Sequence, residues 1–316
     1  MASHKNQHFI PRCYLKAWCD PNTPTEQTPY VWQFSKDGAK VRKKSPNNIF
    51  SETDMYTVHS TDGSRDLTLE KGLQELESRF STVRDKATKR KALTPEDHFV
   101  LCAFTAAMHA RTRARREHHS KIWNQVLQQR ERLAAKVKNL TPEQRRKIRP
   151  EPKRVHGSIR IPPEKVDEWA KRPLQSWLSA EVGTLAPILS TIDLVLFETD
   201  DATGFITSDN PCVWFDPEAC KRTPFYQTPA LMYDTIEITL PLSPRQMLLF
   251  NRKGRNGHVK LGESSVDELN RRTRFFAHEY FVVNSDRKKG IWFDRGVEPS
   301  DSWRNQNRRS SRASRS

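Results

Sequence analysis

Three residues of the sequence, His8, Glu77 and Asp209, have side chains that bind divalent metal ions or transfer protons in enzymes. If folding brings them together, one imidazole and two carboxylates form a mixed nitrogen and oxygen shell, which favours Mg²⁺ or Mn²⁺. A bound ion of this kind activates water for the hydrolysis of a phosphodiester. Asn210, next to Asp209, adds an amide to the same site. The first hypothesis is therefore a metal-dependent nuclease with His8, Glu77, Asp209 and Asn210 as catalytic residues and the first three as metal ligands.

Each of these residues also has a structural alternative. Asp209 follows a predicted strand and precedes a proline-terminated turn, so its carboxylate suits an Asx turn that holds its own backbone. His8 suits a buried hydrogen bond as well as a metal ion or a general base. Glu77 lies on a predicted helix and suits an ion pair, with Arg111 as the partner. The residue types alone leave both interpretations open.

Other histidines and cysteines give weaker signals. His98 and His109 share one face of a predicted helix but are about 16 Å apart along it, too far to bind one ion. His118 and His119 are adjacent, so their side chains point in different directions, and we expect both to be solvated. The five cysteines are odd in number and irregularly spaced, which indicates reduced thiols. Walker, GxSxG and GxGxxG motifs are absent from the sequence, so NTPases, serine hydrolases and dinucleotide-binding enzymes have no support.

Positive charge is concentrated in two segments. The 316 residues carry a net charge of +16. Residues 111–155 hold fifteen lysines and arginines against four glutamates, and residues 299–316 hold five arginines against one aspartate, so the rest of the chain is close to neutral. Such segments bind the phosphates of nucleic acid or only keep a chain soluble. Nucleic acid is the partner that the charge favours, and the candidate contacts are Arg111, Arg113, Arg115, Arg116, Arg308 and Arg309.

The sequence also predicts a compartment. The longest apolar stretch, residues 185–197, is interrupted by a proline and by polar side chains, which argues against a membrane span. The first seven residues lack the apolar core of a secretory signal, so we expect a cytoplasmic protein.

Periodicity predicts the elements that position these residues. Residues 30–34 and 39–42 flank an Asp-Gly turn and indicate a hairpin. Apolar residues spaced by three and four between positions 69 and 87 indicate a helix. Thr94 and Pro95 begin another helix, which meets no glycine or proline until Pro142 and becomes highly charged in its second half. We expect one long helix that leaves the body of the protein as a basic arm.

The later part of the chain predicts two helices at 163–171 and 174–189, then short strands, a helix opening at 264 and a last strand at 291–293. Helices and strands are segregated rather than alternating, which favours an α+β fold. We predict one domain over residues 1–298, with a mixed or antiparallel sheet, a helical layer and a basic helical excursion at 111–163. Residues 299–316 are predicted to be a disordered basic tail.

Several motifs occur in an order that resembles a known family. They are His8 to Pro11, Tyr14-Leu15, Trp18, Ser45-Pro46-Asn47, Glu70, Glu77, His109 to Thr112, Thr207 to Pro211, Pro241 to Pro244 and Asn270. On these residues the sequence resembles the bacterial domain-of-unknown-function family 4238, over roughly residues 7 to 284. The resemblance implies membership but no established activity. The basic arm and the arginine-rich tail depart from the pattern of the family.

Two further hypotheses compete with the nuclease. A nucleic-acid-binding protein without catalysis would use the arm and the tail to bind phosphates, while the motif residues only brace the fold. A protein-interaction module would use the helical stripe of Trp123, Leu127 and Leu133 as a coiled-coil surface.

Overall fold

A computed structural model describes residues 6–59, 64–148, 161–254 and 256–294, and the structural statements below refer to these residues. The strands are β1 Asn6–His8, β2 Val31–Ser35, β3 Val41–Lys44, β4 Ser51–Thr53, β5 Val58–His59, β6 Arg65–Asp66, β7 Asp193–Glu198, β8 Thr207–Ser208, β9 Val213–Phe215, β10 Glu237–Ser243, β11 Gln246–Asn251, β12 Gly257–Lys260 and β13 Tyr280–Val283. The helices are α1 Arg12–Leu15, α2 Thr68–Thr88, α3 Pro95–Ala110, α4 Arg113–Lys138, α5 Pro142–Ile148, α6 Pro163–Lys171, α7 Pro173–Leu189 and α8 Glu263–Phe276.

Two larger sheets form the β part of the described fold. One has the order β12-β7-β11-β10-β9 and is antiparallel except for the pair β12 and β7. The other has the order β3-β2-β13-β8 and is fully antiparallel. Two small antiparallel ladders are formed by β1 with β4 and by β5 with β6. With the helices grouped apart from the strands, this arrangement confirms the predicted α+β fold.

The main core lies between the helical layer and the sheets. In α3, apolar residues are buried around most of the helix, because α2 packs on one side and α7 on the other. The rings of Phe80 in α2 and Phe104 in α3 stack with centroids 3.5 Å apart. Tyr14 and Trp18 bring the N-terminal segment into the same core, where Trp18 donates a hydrogen bond of 2.9 Å to the carbonyl of Phe205. These aromatic side chains join the N-terminus to the late strands.

The helix that the sequence predicts from Thr94 to Pro142 is two helices. The predicted start is confirmed: the Thr94 hydroxyl accepts a hydrogen bond from the Asp97 amide at 3.1 Å, and the Asp97 carboxylate accepts one from the Thr94 amide. The prediction of a continuous helix is wrong because Arg111 turns its guanidinium into the core, with 1% of the residue exposed. The hydroxyl of Thr112 then accepts a hydrogen bond from the Arg115 amide and caps the new helix α4.

The basic arm is tied to the body by tryptophans. No residue of α4 is buried, as expected for a protruding helix. Trp123 of α4 nevertheless packs against Trp169 of α6 and Trp177 of α7, with ring centroids 4.8 and 5.5 Å away. Of the predicted coiled-coil stripe, Trp123 is therefore engaged within the chain, whereas Leu133 is 52% exposed.

A second correction concerns the predicted strand at 291–293. These residues form part of a 3₁₀ turn, Gly290–Phe293, because Trp292 is buried and its indole N–H donates to the carboxylate of Asp267 at 2.9 Å. The predicted disordered tail lies outside the described residues. Among the described helices, none combines the length and the apolar character that crossing a membrane requires.

Candidate active site

The Asp209 carboxylate serves the backbone of a neighbouring segment. Its two oxygens accept hydrogen bonds from the amides of His278 at 2.7 Å, Glu279 at 2.7 Å and Tyr280 at 2.9 Å. Burial raises the pKa of Asp209, and the three amide hydrogen bonds oppose that rise. The Asn210 amide donates to the carbonyl of Phe276 at 2.9 Å. Both side chains thus hold the connection between α8 and β13.

Glu77 forms the ion pair with Arg111 that was the alternative to a metal site. Two guanidinium nitrogens of Arg111 lie 2.9 Å from one carboxylate oxygen of Glu77. The same guanidinium donates to the carbonyls of His8 and Phe9, both at 2.9 Å. The His8 ring lies 3.3 Å from the carbonyl of Asn47, and burial, helped by nearby arginines, lowers the pKa of His8. Arg111 therefore links the Glu77 carboxylate to the backbone of His8.

The described residues offer no other metal shell in place of the predicted one. Within the described ranges, no group of three or more His, Cys, Asp or Glu side chains is arranged to hold a metal ion. Glu77 has the ion pair of its structural alternative, and the His8 ring contacts a backbone carbonyl. The Asx turn expected of Asp209 is wrong, because its carboxylate binds the amides of residues 278–280 instead of its own backbone. Their catalytic and metal-binding roles stay predictions.

The arginines predicted to bind nucleic acid are paired with carboxylates where the structure describes them. Arg113 and Arg116 both bind Glu52. Arg115 binds Glu181, and Arg111 binds Glu77. Because these arginines are paired within the chain, nucleic-acid binding by the first turns of α4 stays a prediction. The two tail positions lie outside the described residues and are Arg308 and Arg309.

A different set of polar residues converges where three helices meet. We call His109, Arg115, His119 and Glu181 the histidine cluster. Glu181, in the middle of α7, accepts hydrogen bonds from the His119 ring at 3.0 Å and from the Arg115 guanidinium at 2.6 Å. The His109 ring nitrogen lies 3.9 Å from the same carboxylate. The break after α3 lets these three side chains converge on Glu181. His109 lies in the last turn of α3, and Arg115 and His119, four residues apart, lie on one face of α4.

Burial and charge fix the protonation states of two members. Burial raises the pKa of Glu181, but the hydrogen bonds from His119 and Arg115 outweigh it and bring this pKa down to about 2. Burial, reinforced by the positive charge of Arg115, lowers the pKa of His109 to about 4. At neutral pH the carboxylate is ionised and the His109 imidazole is neutral, with one nitrogen available to accept a proton.

Two cavities open on either side of the cluster. They have volumes of about 350 and 710 Å³, and His109, Arg115 and Trp214 line both. The ring of His109 stacks on Trp214 with centroids 4.8 Å apart. The smaller cavity adds Trp177, and the larger one adds Phe275. Aromatic walls around a few polar groups with perturbed pKa values are typical of a ligand site.

Sequence reasoning missed this cluster and considered its histidines separately. His109 occurs in a family-like motif but is considered as a metal ligand only together with His98. His119 is expected to be solvated, although only 15% of its side chain is exposed and it binds Glu181. One signal was available: Glu181 is the single charged residue of the 17-residue helix α7. An ionised group on an otherwise apolar and neutral helix needs a partner, which in this fold is Arg115.

A comparison with protein families gives a match over most of the chain. The family model described as "Protein of unknown function (DUF4238)" matches residues 6–288, a region that includes the whole histidine cluster. No curated protein and no solved structure matches the chain. The protein therefore belongs to the DUF4238 family of proteins of unknown function.

Proposed function

We propose that the protein hydrolyses phosphodiester bonds in nucleic acid and that the histidine cluster is its active site. The observation that carries the proposal is the approach of two imidazoles, His109 and His119, to the Glu181 carboxylate, which is largely shielded from solvent, at an aromatic cavity that all three residues line. Paired imidazoles of this kind can remove a proton from an attacking oxygen and supply one to a leaving oxygen.

The chemistry follows from the environment of each group. His109 is neutral, so it can accept the proton of water or of a ribose 2′-hydroxyl as that oxygen attacks phosphorus. The bond from phosphorus to the leaving oxygen breaks, and that oxygen takes a proton from His119, which is the imidazolium in this step: Glu181 holds its Nε2–H, and the Nδ1 proton is the one transferred. Arg115 places a positive charge beside the developing negative charge. A bound phosphate offsets the field of Arg115 and raises the pKa of His109 toward neutrality, where an imidazole is a stronger base.

The walls of the cavities suit the rest of a nucleotide. Trp177, Trp214 and Phe275 offer rings on which bases stack, an interaction worth about 1–3 kcal/mol per base. The site differs from the one predicted from His8, Glu77 and Asp209. Its proton transfers use imidazoles of the chain and require no ion at those three residues.

The test is hydrolysis of labelled RNA and DNA oligonucleotides by the wild type and by His109→Gln. We expect the substitution to lower kcat by about 100-fold or more, since general acid–base catalysis contributes at least that much. His98→Gln, in the first turns of the same helix α3, is the matched control and should change kcat by less than about twofold.

Three outcomes would count against the proposal. A wild-type protein that cleaves no RNA or DNA oligonucleotide, or a His109→Gln variant with full activity, would remove its basis. The assay is repeated with EDTA and with added Mg²⁺ because the mechanism requires no ion. Equal rates of hydrolysis in EDTA and in Mg²⁺ support the proposed mechanism. Loss of activity in EDTA contradicts imidazole catalysis at this site.

A further inference from the structure

A second cleft, of about 630 Å³, lies at the outer end of the four-stranded sheet. Four cationic residues line it, and we call it the basic cleft. They are Lys36, Lys40, Arg42 and Arg274. Two acidic residues, Asp37 and Glu279, also line it, so cations exceed anions by two.

Strand alternation places the polar side chains together. Gln33 of β2 lies opposite Arg42 of β3, and Ser35 of β2 lies opposite Tyr280 of β13. Successive residues of a strand point to opposite faces, so these four share one face of the sheet. The other face carries Phe34, which packs in an apolar cluster with Trp292. The sequence of this sheet thus separates a polar, basic surface from a buried one.

The acidic residues of the cleft are engaged within the chain. The Asp37 carboxylate accepts hydrogen bonds from the Ser35 hydroxyl and from the Ala39 amide at 2.9 Å. The Glu279 carboxylate lies 3.8 Å from the Arg113 guanidinium. Lys40 and Arg42 are exposed, and neither is within 4 Å of a carboxylate in the described part of the chain. The hydrogen bond from Ser35 and, more weakly, the charge of Lys40 lower the pKa of Asp37. Two cations of the cleft are therefore available to an anionic ligand.

The basic cleft lies next to the larger cavity of the candidate active site. The ammonium of Lys36 lies 5.7 Å from the ring centroid of Phe275, and Phe275 lines the larger cavity beside His109. The segment between the two clefts, residues 276–280, is held by the hydrogen bonds of Asp209 and Asn210. A chain of nucleotides can therefore pass from the cations of the cleft to the histidine cluster along one surface.

We propose that the basic cleft binds the phosphates of a single-stranded nucleic acid whose next nucleotides enter the active site. The inference rests on the proposed function and names its substrate as a single-stranded polynucleotide. Lys40 and Arg42 bind backbone phosphates, and Tyr280 offers an aromatic ring for a base, which is the combination that single-strand binding requires. A base stacked inside a duplex does not reach a recessed aromatic cavity unless it leaves the stack.

The test is fluorescence anisotropy of a labelled 12-nucleotide oligo-dT and oligo-U in the His109→Gln background, which prevents cleavage. We compare the parent with the double variant Lys40→Gln, Arg42→Gln. Loss of two phosphate contacts should weaken binding roughly tenfold and reduce the slope of log K against log salt by about 1.4. The control, Lys89→Gln with Lys91→Gln, removes the same charge from exposed positions outside the cleft and should bind as the parent does.

The outcomes separate this inference from the proposed function. The inference is overturned if the parent binds neither oligo-dT nor oligo-U, or if the cleft variant binds as tightly as the parent. In both cases, hydrolysis by the wild type would still support the active site. If binding depends on the cleft but no oligonucleotide is cleaved, the cleft stands and the proposed hydrolysis fails. An unlabelled 12-base-pair duplex should compete at least tenfold less well than the single strand, and equal competition would exclude single-strand selectivity. Circular dichroism confirms that each variant is folded.

Discussion

The pKa of His109 makes a prediction about stability that needs no substrate. In the unfolded chain this histidine binds a proton as the pH falls through about 6.5. In the folded protein, burial and Arg115 keep it neutral until about pH 4. The unfolded state therefore binds more protons in this window, and the free energy of unfolding falls as the pH falls. The variant His109→Gln lacks this proton and should lose less stability on acidification.

The magnitude follows from the two pKa values. Between pH 7 and pH 5 the wild type should lose about 2 kcal/mol more free energy of unfolding than His109→Gln. A fifth of the His109 side chain is exposed, so solvent screens this effect only weakly. Glu181 contributes little to the difference, because its pKa of about 2 places its own loss of stability below pH 4.5.

Urea unfolding at pH 7, 6 and 5 measures this difference directly. At neutral pH the variant is expected to be less stable than the wild type. The difference between their free energies of unfolding should decrease steadily toward pH 5. A gap that stays constant over this range would show that His109 has no depressed pKa. The NMR titration of its ring proton is an independent check, with a midpoint expected near pH 4.

Three further substitutions test structural roles, two at motif residues and one at the N-cap of α3. Asp209→Asn replaces an acceptor for backbone amides by an N–H₂ group, and urea unfolding should show a loss of about 1–3 kcal/mol; unchanged stability would contradict the bracing role. Arg111→Met leaves Glu77 and two buried carbonyls without their donor, and calorimetry should detect a loss of about 3–5 kcal/mol, whereas a loss below 1 kcal/mol would refute the buried pair. Thr94→Ala removes half of a capping box and should cost about 1 kcal/mol in the same assay, with an unaltered melting temperature as the contrary result.

The elements that the sequence predicted well are those whose signals are local. The hairpin of β2 and β3 follows from an Asp-Gly turn between alternating residues, and the start of α3 follows from a threonine, a proline and two acids in one turn. The break between α3 and α4 contains no glycine or proline, and its one local signal is Thr112, a residue type that caps helices. It depends on the contact of Arg111 with Glu77, which lies 34 residues earlier in the chain.

The candidate active site was harder to predict for the same physical reason. Its members come from three helices, and periodicity within one helix says nothing of how two others approach it. His109 and Arg115 are close in sequence, yet a continuous helix would place them about 9 Å apart along its axis. Only the turn at Arg111 and Thr112 lets both reach Glu181 on α7.

The residues by which the chain resembles its family are connected to this site through the backbone. Arg111 follows His109 by two residues, and its bonds to Glu77 and to the carbonyls of His8 and Phe9 set the point where α3 ends. Asp209 and Asn210, on the other side, hold the segment that separates the larger cavity from the basic cleft. A change at either brace shifts the walls of the cavities without removing a group that transfers protons. In the mechanism that we propose, Arg111, Asp209 and Asn210 are therefore positioning residues, whereas His109, which belongs to the same motif as Arg111, transfers a proton.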